Sequence, residues 1–406
     1  MNKKWQYKTN QNEEETEKIV KRFNLNKTLA QIMVNRGITV DTAEVFLNPK
    51  RNDFYNPFEM PDMEQAVDRI IKAIDSNEKV TIYGDYDVDG ITSSTVLKKF
   101  LKDRGLDCGV YIPNRIDEGY GLNIEAIQKI KEDNYTLIIT VDCGITSIKE
   151  VEYAKKIGID VIITDHHEPG DIIPNTIAVI DCKRKDSKYQ FRELCGVGVA
   201  FKLTQAISQR LKLDEKEYLK YLDIVSIGTI ADIVPLVDEN RVITKLGLKL
   251  VECTKNVGLD AIIKTAGYKK VDSISIAFGV APRINASGRI GSAYTALDLL
   301  LNNNKEQAFK IAEELNSLNL KRQEEEKQIF DEAINQIEEN GLSNDSIIVL
   351  KGKNWHAGVI GIVASRITEL YYKPSILISF DDENGIGKGS RKKYTWIWFT
   401  WCIIKM

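Results

Sequence analysis

Histidine is scarce in this chain: three residues among 406, two of them adjacent at positions 166 and 167. Cysteine is sparse as well. The six thiols, at 108, 143, 182, 195, 253 and 402, form no C-x-x-C pair and keep no regular spacing. That excludes a disulfide framework, argues against a structural zinc site and fits a reducing cytoplasm. No run reaches the roughly 20 apolar residues a spanning helix needs. The opening MNKKWQYKTNQNEEE is charged and lacks the apolar core of a secretory signal. Neither a membrane nor an exported location is expected; a cytoplasmic one is. Basic excess is missing too. With a net charge of −3 and a pI near 5.9, a nucleic-acid partner would have to be held by a local basic groove.

What is present is an ordinary globular composition, 43% hydrophobic and 28% charged, in a chain long enough for two or three domains. Residues 1–60 are polar, with helical stretches expected at 14–35 and 41–47. From 61 the text alternates between short apolar β-rich runs (KVTIYGD, CGVYIP, YTLIITVD, DVIITD, TIAVID) and amphipathic helical stretches. This predicts an α/β fold with a doubly wound, mostly parallel sheet. Residues 196–265 turn helical. Residues 304–340 read as one long charged helix, interrupted near Asn316 to Asn319, with Phe309, Ala312, Leu315, Ile329, Ala333 and Ile337 on one face. A plain surface helix and an inter-domain connector both fit this pattern. A second α/β unit starts at SIIVLKG and stops soon after it begins. The expected division is an N-terminal segment (1–60), a main α/β domain (61–300), a connecting helix (301–342), a partial second domain (343–390) and an aberrant tail (391–406).

The polar residues cluster where predicted strands end. Asp85, Asp87 and Asp89 follow VTIYG, Asp142 ends YTLIITVD, and Asp165-His166-His167-Glu168 ends DVIIT. Asp232 closes an apolar helical run. In open parallel sheets the carboxyl ends of the strands form the binding crevice. Carboxylates converging there repel one another, and divalent cations relieve that repulsion. The mixed carboxylate–imidazole set suits Mn²⁺ best, with Mg²⁺ or Fe²⁺ as alternatives. A surplus of donors over the needs of one ion points to two ions, the arrangement that hydrolyses phosphate esters. Taken alone, D-x-D after a strand is more often a helix cap, and a lone histidine is usually only packed.

With these residues in order, the chain resembles the DHH phosphoesterases, and among them the single-strand-specific 5′→3′ DNA exonucleases. The resemblance rests on YGDYDVDGITS (83–93), PNRIDEGYGL (113–122), VDCGI (141–145), TDHHEP (164–169), GTIADIVPL (228–236), APRINASGRIG (281–291) and WHAGVIGIVASRI (355–367). It implies Asp85, Asp87, Asp142, His166 and Asp232 as ligands of two Mn²⁺ or Mg²⁺ ions, with Asp142 bridging. It also implies that His167 stands near the scissile phosphate and that Asp165 and Asp89 orient the ligands, so that His167, Asp142 and Asp165 form the catalytic group. Some family members place a histidine where this chain has Tyr83, which would leave the second ion with more water. The implied substrate is single-stranded DNA with a 5′ end, and the implied partners are a helicase and a single-strand-binding protein. The sibling readings are an oligonucleotide or cyclic-dinucleotide phosphodiesterase and a non-catalytic replication scaffold.

For the substrate's phosphates the candidates are Arg115, Arg283 and Arg289, since arginine forks phosphate oxygens in pairs; a structural ion pair is the alternative for each. Tyr120 is a candidate base-stacking platform or a packed loop residue. His356 precedes the helix of GVIGIVASR, where backbone N–H groups attract phosphate. The tail RKKYTWIWFTWCIIKM departs from the Gly-Arg-Ser run and Ile-Pro-Gly-Phe segment that the resemblance expects after GKGS. Tryptophan has the single codon TGG, so a one-base shift forces glycine at 396, 398 and 401. The tail therefore reads as a frameshift product beginning near Arg391.

Overall fold

A computed structural model describes residues 12–381 and 385–393. The tail from 394 onward, including the three tryptophans of the expected frameshift, lies outside the described residues. Three short helices come first: α1 (Glu13–Phe23), α2 (Lys27–Asn35) and α3 (Ala43–Leu47). The single stretch expected over 14–35 is two helices, because Asn24 takes a left-handed conformation and Asn26 caps Leu29 N–H at 2.8 Å. Asparagine suits both positions.

The alternating region follows: α4 (Met63–Asp75), β1 (Val80–Gly84), α5 (Val88–Lys102), β2 (Gly109–Tyr111), α6 (Ile124–Glu132), β3 (Leu137–Val141), α7 (Ile148–Lys156), β4 (Asp160–Thr164) and β5 (Ala178–Ile180). The five strands pair in parallel, in the order β2-β1-β3-β4-β5. This is the doubly wound sheet that the sequence pattern predicts. Successive residues point to opposite faces, so Ile82, Ile139 and Ile162 enter one core while Tyr83, Ile138 and Ile163 enter the other. Both faces are covered, which is why the strands read as unbroken apolar runs. The strand order reverses between β1 and β3, and ligand sites form at such a switch point.

A helical layer packs on one side: α8 (Gly196–Arg210), α9 (Lys216–Leu219), α10 (Leu222–Ala231), α11 (Asp238–Val251), α12 (Val257–Thr265), α13 (Ser273–Ser275), α14 (Ala281–Ile290) and α15 (Ala293–Leu301). Then α16 runs without a break from Lys305 to Glu339. The expected interruption at 316–319 is absent because Asn319 is buried inside the helix and accepts from Arg322 at 2.8 Å. Ala308, Ala312 and Leu315 of α16 belong to the core shared with α12 and α14, whereas Ile329, Ala333 and Ile337 belong to the core of the second unit. One helix is thus built into two cores. The second unit consists of β6 (Ile348–Lys353), α17 (Ile360–Tyr371), β7 (Ser375–Asp381) and β8 (Ile386–Lys392). β6 and β7 are parallel and β8 antiparallel, with its pairing running through Arg391 and Lys392. Among the described residues, no helix is long and apolar enough to cross a membrane.

Candidate metal centre

Each acidic donor is placed by the end of an element. The chain leaves β1 at Asp85. Asp87 caps α5, its Oδ1 accepting from the N–H groups of Asp89 (2.9 Å) and Gly90 (3.1 Å), while among the described residues Oδ2 takes no hydrogen bond. Asp142 follows β3 with φ 61°, a left-handed conformation that Asp tolerates better than most residues. Gly196 opens α8 so close to Asp142 that an added Cβ would stand 2.7 Å from Oδ1, which leaves glycine alone able to occupy the position. Asp232 is the C-cap of α10.

These ends converge. Asp85, Asp87 and Asp142 bring one donor atom each within 4.8 Å of one another, as do Asp89, His166 and Asp232, and Asp142, His166 and His167. His166 Nε2 lies 3.1 Å from Asp142 Oδ1, 3.7 Å from Asp89 Oδ2 and 3.8 Å from Asp232 Oδ2. Burial, reinforced by the neighbouring His167, pulls the His166 pKa down to about 4, so its imidazole is neutral and its lone pair available. Burial, then Asp87, pushes Asp85 up to about 7 and Asp232 to about 6. Asp142 is driven well above the usual carboxylate range by burial and then by Asp89. Among the described residues, the buried Oδ1 atoms of Asp85 and Asp142 have no hydrogen-bond partner. Crowded carboxylates, a neutral imidazole and orphaned oxygens form a donor set that divalent cations fit.

Asp89 and Asp165 are tied up differently. Both Asp89 oxygens accept from the start of α8, from Gly196 N–H at 2.6 Å and Val197 N–H at 2.8 Å. Asp165 accepts from the N–H groups of Ile145 (2.9 Å) and His166 (2.7 Å) and lies 2.7 Å from His167 Nδ1. Burial opposes ionisation of Asp165, but the bonds from His167 and the backbone prevail and hold it below its ordinary value. The same contact raises the pKa of His167 against the effect of burial. Tyr120 donates to the Asp142 carbonyl at 3.1 Å and packs edge-on against His167, with ring centroids 5.7 Å apart. Tyr83 is buried and turned away: its hydroxyl donates to the Gly121 carbonyl at 3.0 Å and accepts from Asn123 Nδ2 at 3.2 Å.

Beside the carboxylates lies a cavity of about 280 Å³ whose lining includes Tyr86, Arg115, Arg289 and His356. The Arg115 guanidinium stacks 4.8 Å above the Tyr86 ring. Arg289 donates to the Gly358 carbonyl at 3.1 Å and, among the described residues, has no carboxylate within 4 Å. Burial, then Arg115 and Arg322, pulls its pKa down to about 10. Arg283 is not part of this group; it bonds Asn316 Oδ1 (2.9 Å) and the Gly279 carbonyl (2.7 Å). The reason is helical phase, since six residues at about 100° each turn Arg283 about 120° away from Arg289 on α14. Tyr120 is also outside the cavity lining. The sequence reading passed over Tyr86, although it sits between two of the quoted aspartates. It also missed Gly196 and Asn285, whose Oδ1 accepts from Val88 N–H at 3.2 Å.

A parallel sheet delivering aspartate and histidine donors to its switch point, joined by a long helix to a smaller sheet, is the architecture of a DHH phosphoesterase. The description "DHH family, N-terminal domain" matches residues 79–229. The chain is 43% identical over 383 residues to the single-stranded-DNA-specific exonuclease RecJ of Bacillus subtilis, covering 94% of this chain and 48% of that one. It is 36% identical over 332 residues to its counterpart in Escherichia coli, covering 77% of this chain and 57% of that one. A crystal structure of exonuclease RecJ bound to manganese superposes with a TM-score of 0.76 at 33% identity, covering 85% of each chain. The chain belongs to the RecJ family of DHH proteins. It spans about half the length of the curated relatives it matches.

Proposed function

We propose that this chain carries the catalytic centre of a metal-dependent exonuclease that removes nucleotides from the 5′ end of single-stranded DNA. One observation carries the reading: the Asp85–Asp87–Asp142–His166–Asp232 donor set stands beside a cationic cavity able to hold a terminal phosphate. Residues 61–300 form the catalytic unit in this reading, with α16 linking it to the second domain.

Asp85, Asp87, Asp142, His166 and Asp232 would hold a pair of divalent ions, Mn²⁺ or Mg²⁺, with Asp142 common to both. When bound, such ions polarise a phosphodiester and make a coordinated water nucleophilic near neutral pH. The protein's own residues do the rest. Asp89, fixed on the start of α8, and Asp87, fixed on α5, keep the donors in place. Asp165 holds Nδ1 of His167, which leaves Nε2 as the nitrogen open to the substrate, and a protonated ring would offset charge developing on the phosphate. Tyr120 fixes both the Asp142 turn and the His167 ring. Arg115, Arg289 and His356 anchor the terminal phosphate, which places the first internucleotide bond, and not an interior one, over the donors. Arg283 serves the α14–α16 contact in this reading. A helicase and a single-strand-binding protein, which would supply and present the strand, are the expected partners, and the cytoplasm is the expected compartment.

The test is digestion of a 5′-phosphorylated single-stranded oligonucleotide, labelled at either end, with Mn²⁺. Metal-dependent release of mononucleotides from the 5′ end, lost in Asp142→Ala, is expected. Cleavage from the 3′ end, equal attack on duplex DNA, or preference for a cyclic dinucleotide would overturn the reading.

A further inference from the structure

Well away from the donor cluster, a cavity of about 910 Å³ opens between the last turn of α5, the first turn of α10 and the junction of α11 with α12. Its wall is basic in a chain whose net charge is −3: six lysines line it, against the carboxylates of Asp103 and Asp223. Two of the six are already matched. Lys98 pairs with Asp107 at 3.0 Å, and Lys220 with Asp103 at 2.8 Å and Glu217 at 3.1 Å. Lys99, Lys102, Lys216 and Lys255 have no carboxylate within 4 Å among the described residues.

Lys102, Lys216 and Lys255 are exposed, but Lys99 is partly buried. Burial drags its ammonium pKa down, against the more distant pull of Asp223 and Asp103. A half-buried cation with no carboxylate in direct contact carries a cost that a closer anion would offset. Between the lysines, Leu219, Ile224, Leu250 and Leu301 supply an apolar floor.

We propose that this cavity is a second ligand site and that its ligand is a nucleoside di- or triphosphate. Four lysines without a carboxylate in contact, set against the one lining carboxylate that no lysine pairs with, Asp223, leave an excess of about three positive charges, which an oligophosphate matches. Lysine meets phosphate as a mobile point charge, so a flexible phosphate chain suits this wall better than one rigid fork-shaped anion. The apolar floor accepts the flat face of a base. The volume lies in the range of sites for molecules of this size. The site is remote but not isolated. α5 starts at Asp87 and ends at Lys102, α10 starts beside Tyr221 and ends at Asp232, so both helices hold metal-centre donors at one end and this cavity at the other, about 22 Å apart along α5 and about 16 Å along α10 at 1.5 Å per residue.

The test uses the full chain in EDTA, which keeps metal-bridged nucleotide out of the catalytic centre, with ATP, ADP, inorganic tripolyphosphate and adenosine as calorimetric titrants. Saturable binding of one ATP per chain is expected, weaker for tripolyphosphate and undetectable for adenosine. The surface charge reversals Lys102→Glu and Lys255→Glu, combined, leave the circular dichroism spectrum unchanged and weaken ATP about tenfold or more. Arg115→Ala with Arg289→Ala leaves ATP binding unchanged. No saturable binding of ATP up to about 1 mM, or binding that survives the lysine reversals and disappears with the arginines, would overturn the site. Tripolyphosphate binding as tightly as ATP would overturn the nucleoside part. The outcome is independent of whether the chain cleaves DNA.

Discussion

His166 Nε2 and Asp142 Oδ1 stand 3.1 Å apart without a hydrogen bond between them. With its pKa near 4 the imidazole carries no charge at neutral pH, so the pair is not a salt bridge. Two donor atoms facing each other in this way are what a cation-binding site presents. The polar groups of this cleft are arranged for something between them, not for each other, and most of the expected behaviour of the protein follows from that.

Asp85 has a folded pKa raised to about 7, above the roughly 3.9 of an unfolded aspartate. The native state therefore holds the extra proton. The sign is that metal-free stability is greatest below the unfolded value and falls as pH rises through the folded one. Thermal melts in EDTA are expected to give a lower Tm at pH 8 than at pH 5. Asp85→Asn should flatten that dependence and raise the pH 8 Tm by roughly 2–4 °C, while weakening Mn²⁺ binding. A wild-type Tm that climbs from pH 5 to pH 8 in EDTA would contradict the assignment.

Arg289 and Arg283 sit on one helix with different partners. Arg289→Ala is expected to raise KM for a 5′-phosphorylated strand about 10- to 100-fold, the weight of a charge-assisted contact, and to abolish preference over a 5′-hydroxyl strand. Arg283→Ala should leave KM unchanged and cost about 1 kcal/mol of stability. Steady-state kinetics on the two substrates separate them.

Tyr83 tests whether its hydroxyl has any part in metal binding. Tyr83→Phe removes the donor to the Gly121 carbonyl and is expected to cost about 1 kcal/mol in stability. Mn²⁺ affinity should stay within about twofold, because a factor of two is under 0.5 kcal/mol. A large loss of affinity would show that the hydroxyl reaches the centre.

Lys202 and Glu239 form an ion pair with both side chains fully buried, 2.7 Å apart, further bonded to the Tyr55 carbonyl and the Tyr189 hydroxyl. Removing one partner leaves an uncompensated buried charge. Lys202→Met alone should cost about 3–5 kcal/mol by urea denaturation, and adding Glu239→Leu should recover much of it.

How much of this was legible beforehand depends on how local the signal is. The strands and their order of appearance were readable because a sheet covered on both faces needs continuous apolar runs such as LIITV. The convergence of Asp85, Asp142 and His166 at one end of the sheet was readable because they end those runs. Arg283 was misplaced because its direction depends on the phase of α14 against α16, which no local pattern encodes. Gly196 was invisible for a similar reason: its necessity comes from Asp142, 54 positions earlier, and only the packed structure brings them together. The unbroken α16 depended on burying Asn319, a tertiary event that overrides the residue's weak helix preference.

The most direct test of the central claim is calorimetric titration of the metal-free chain with Mn²⁺, beside Asp142→Ala. The account predicts two ions per chain, with affinity rising as pH passes from about 6 to about 7 and Asp232 and Asp85 lose their protons, and with both sites impaired by the single substitution. Wild type and Asp142→Ala taking up Mn²⁺ equally, or neither taking it up, would contradict it.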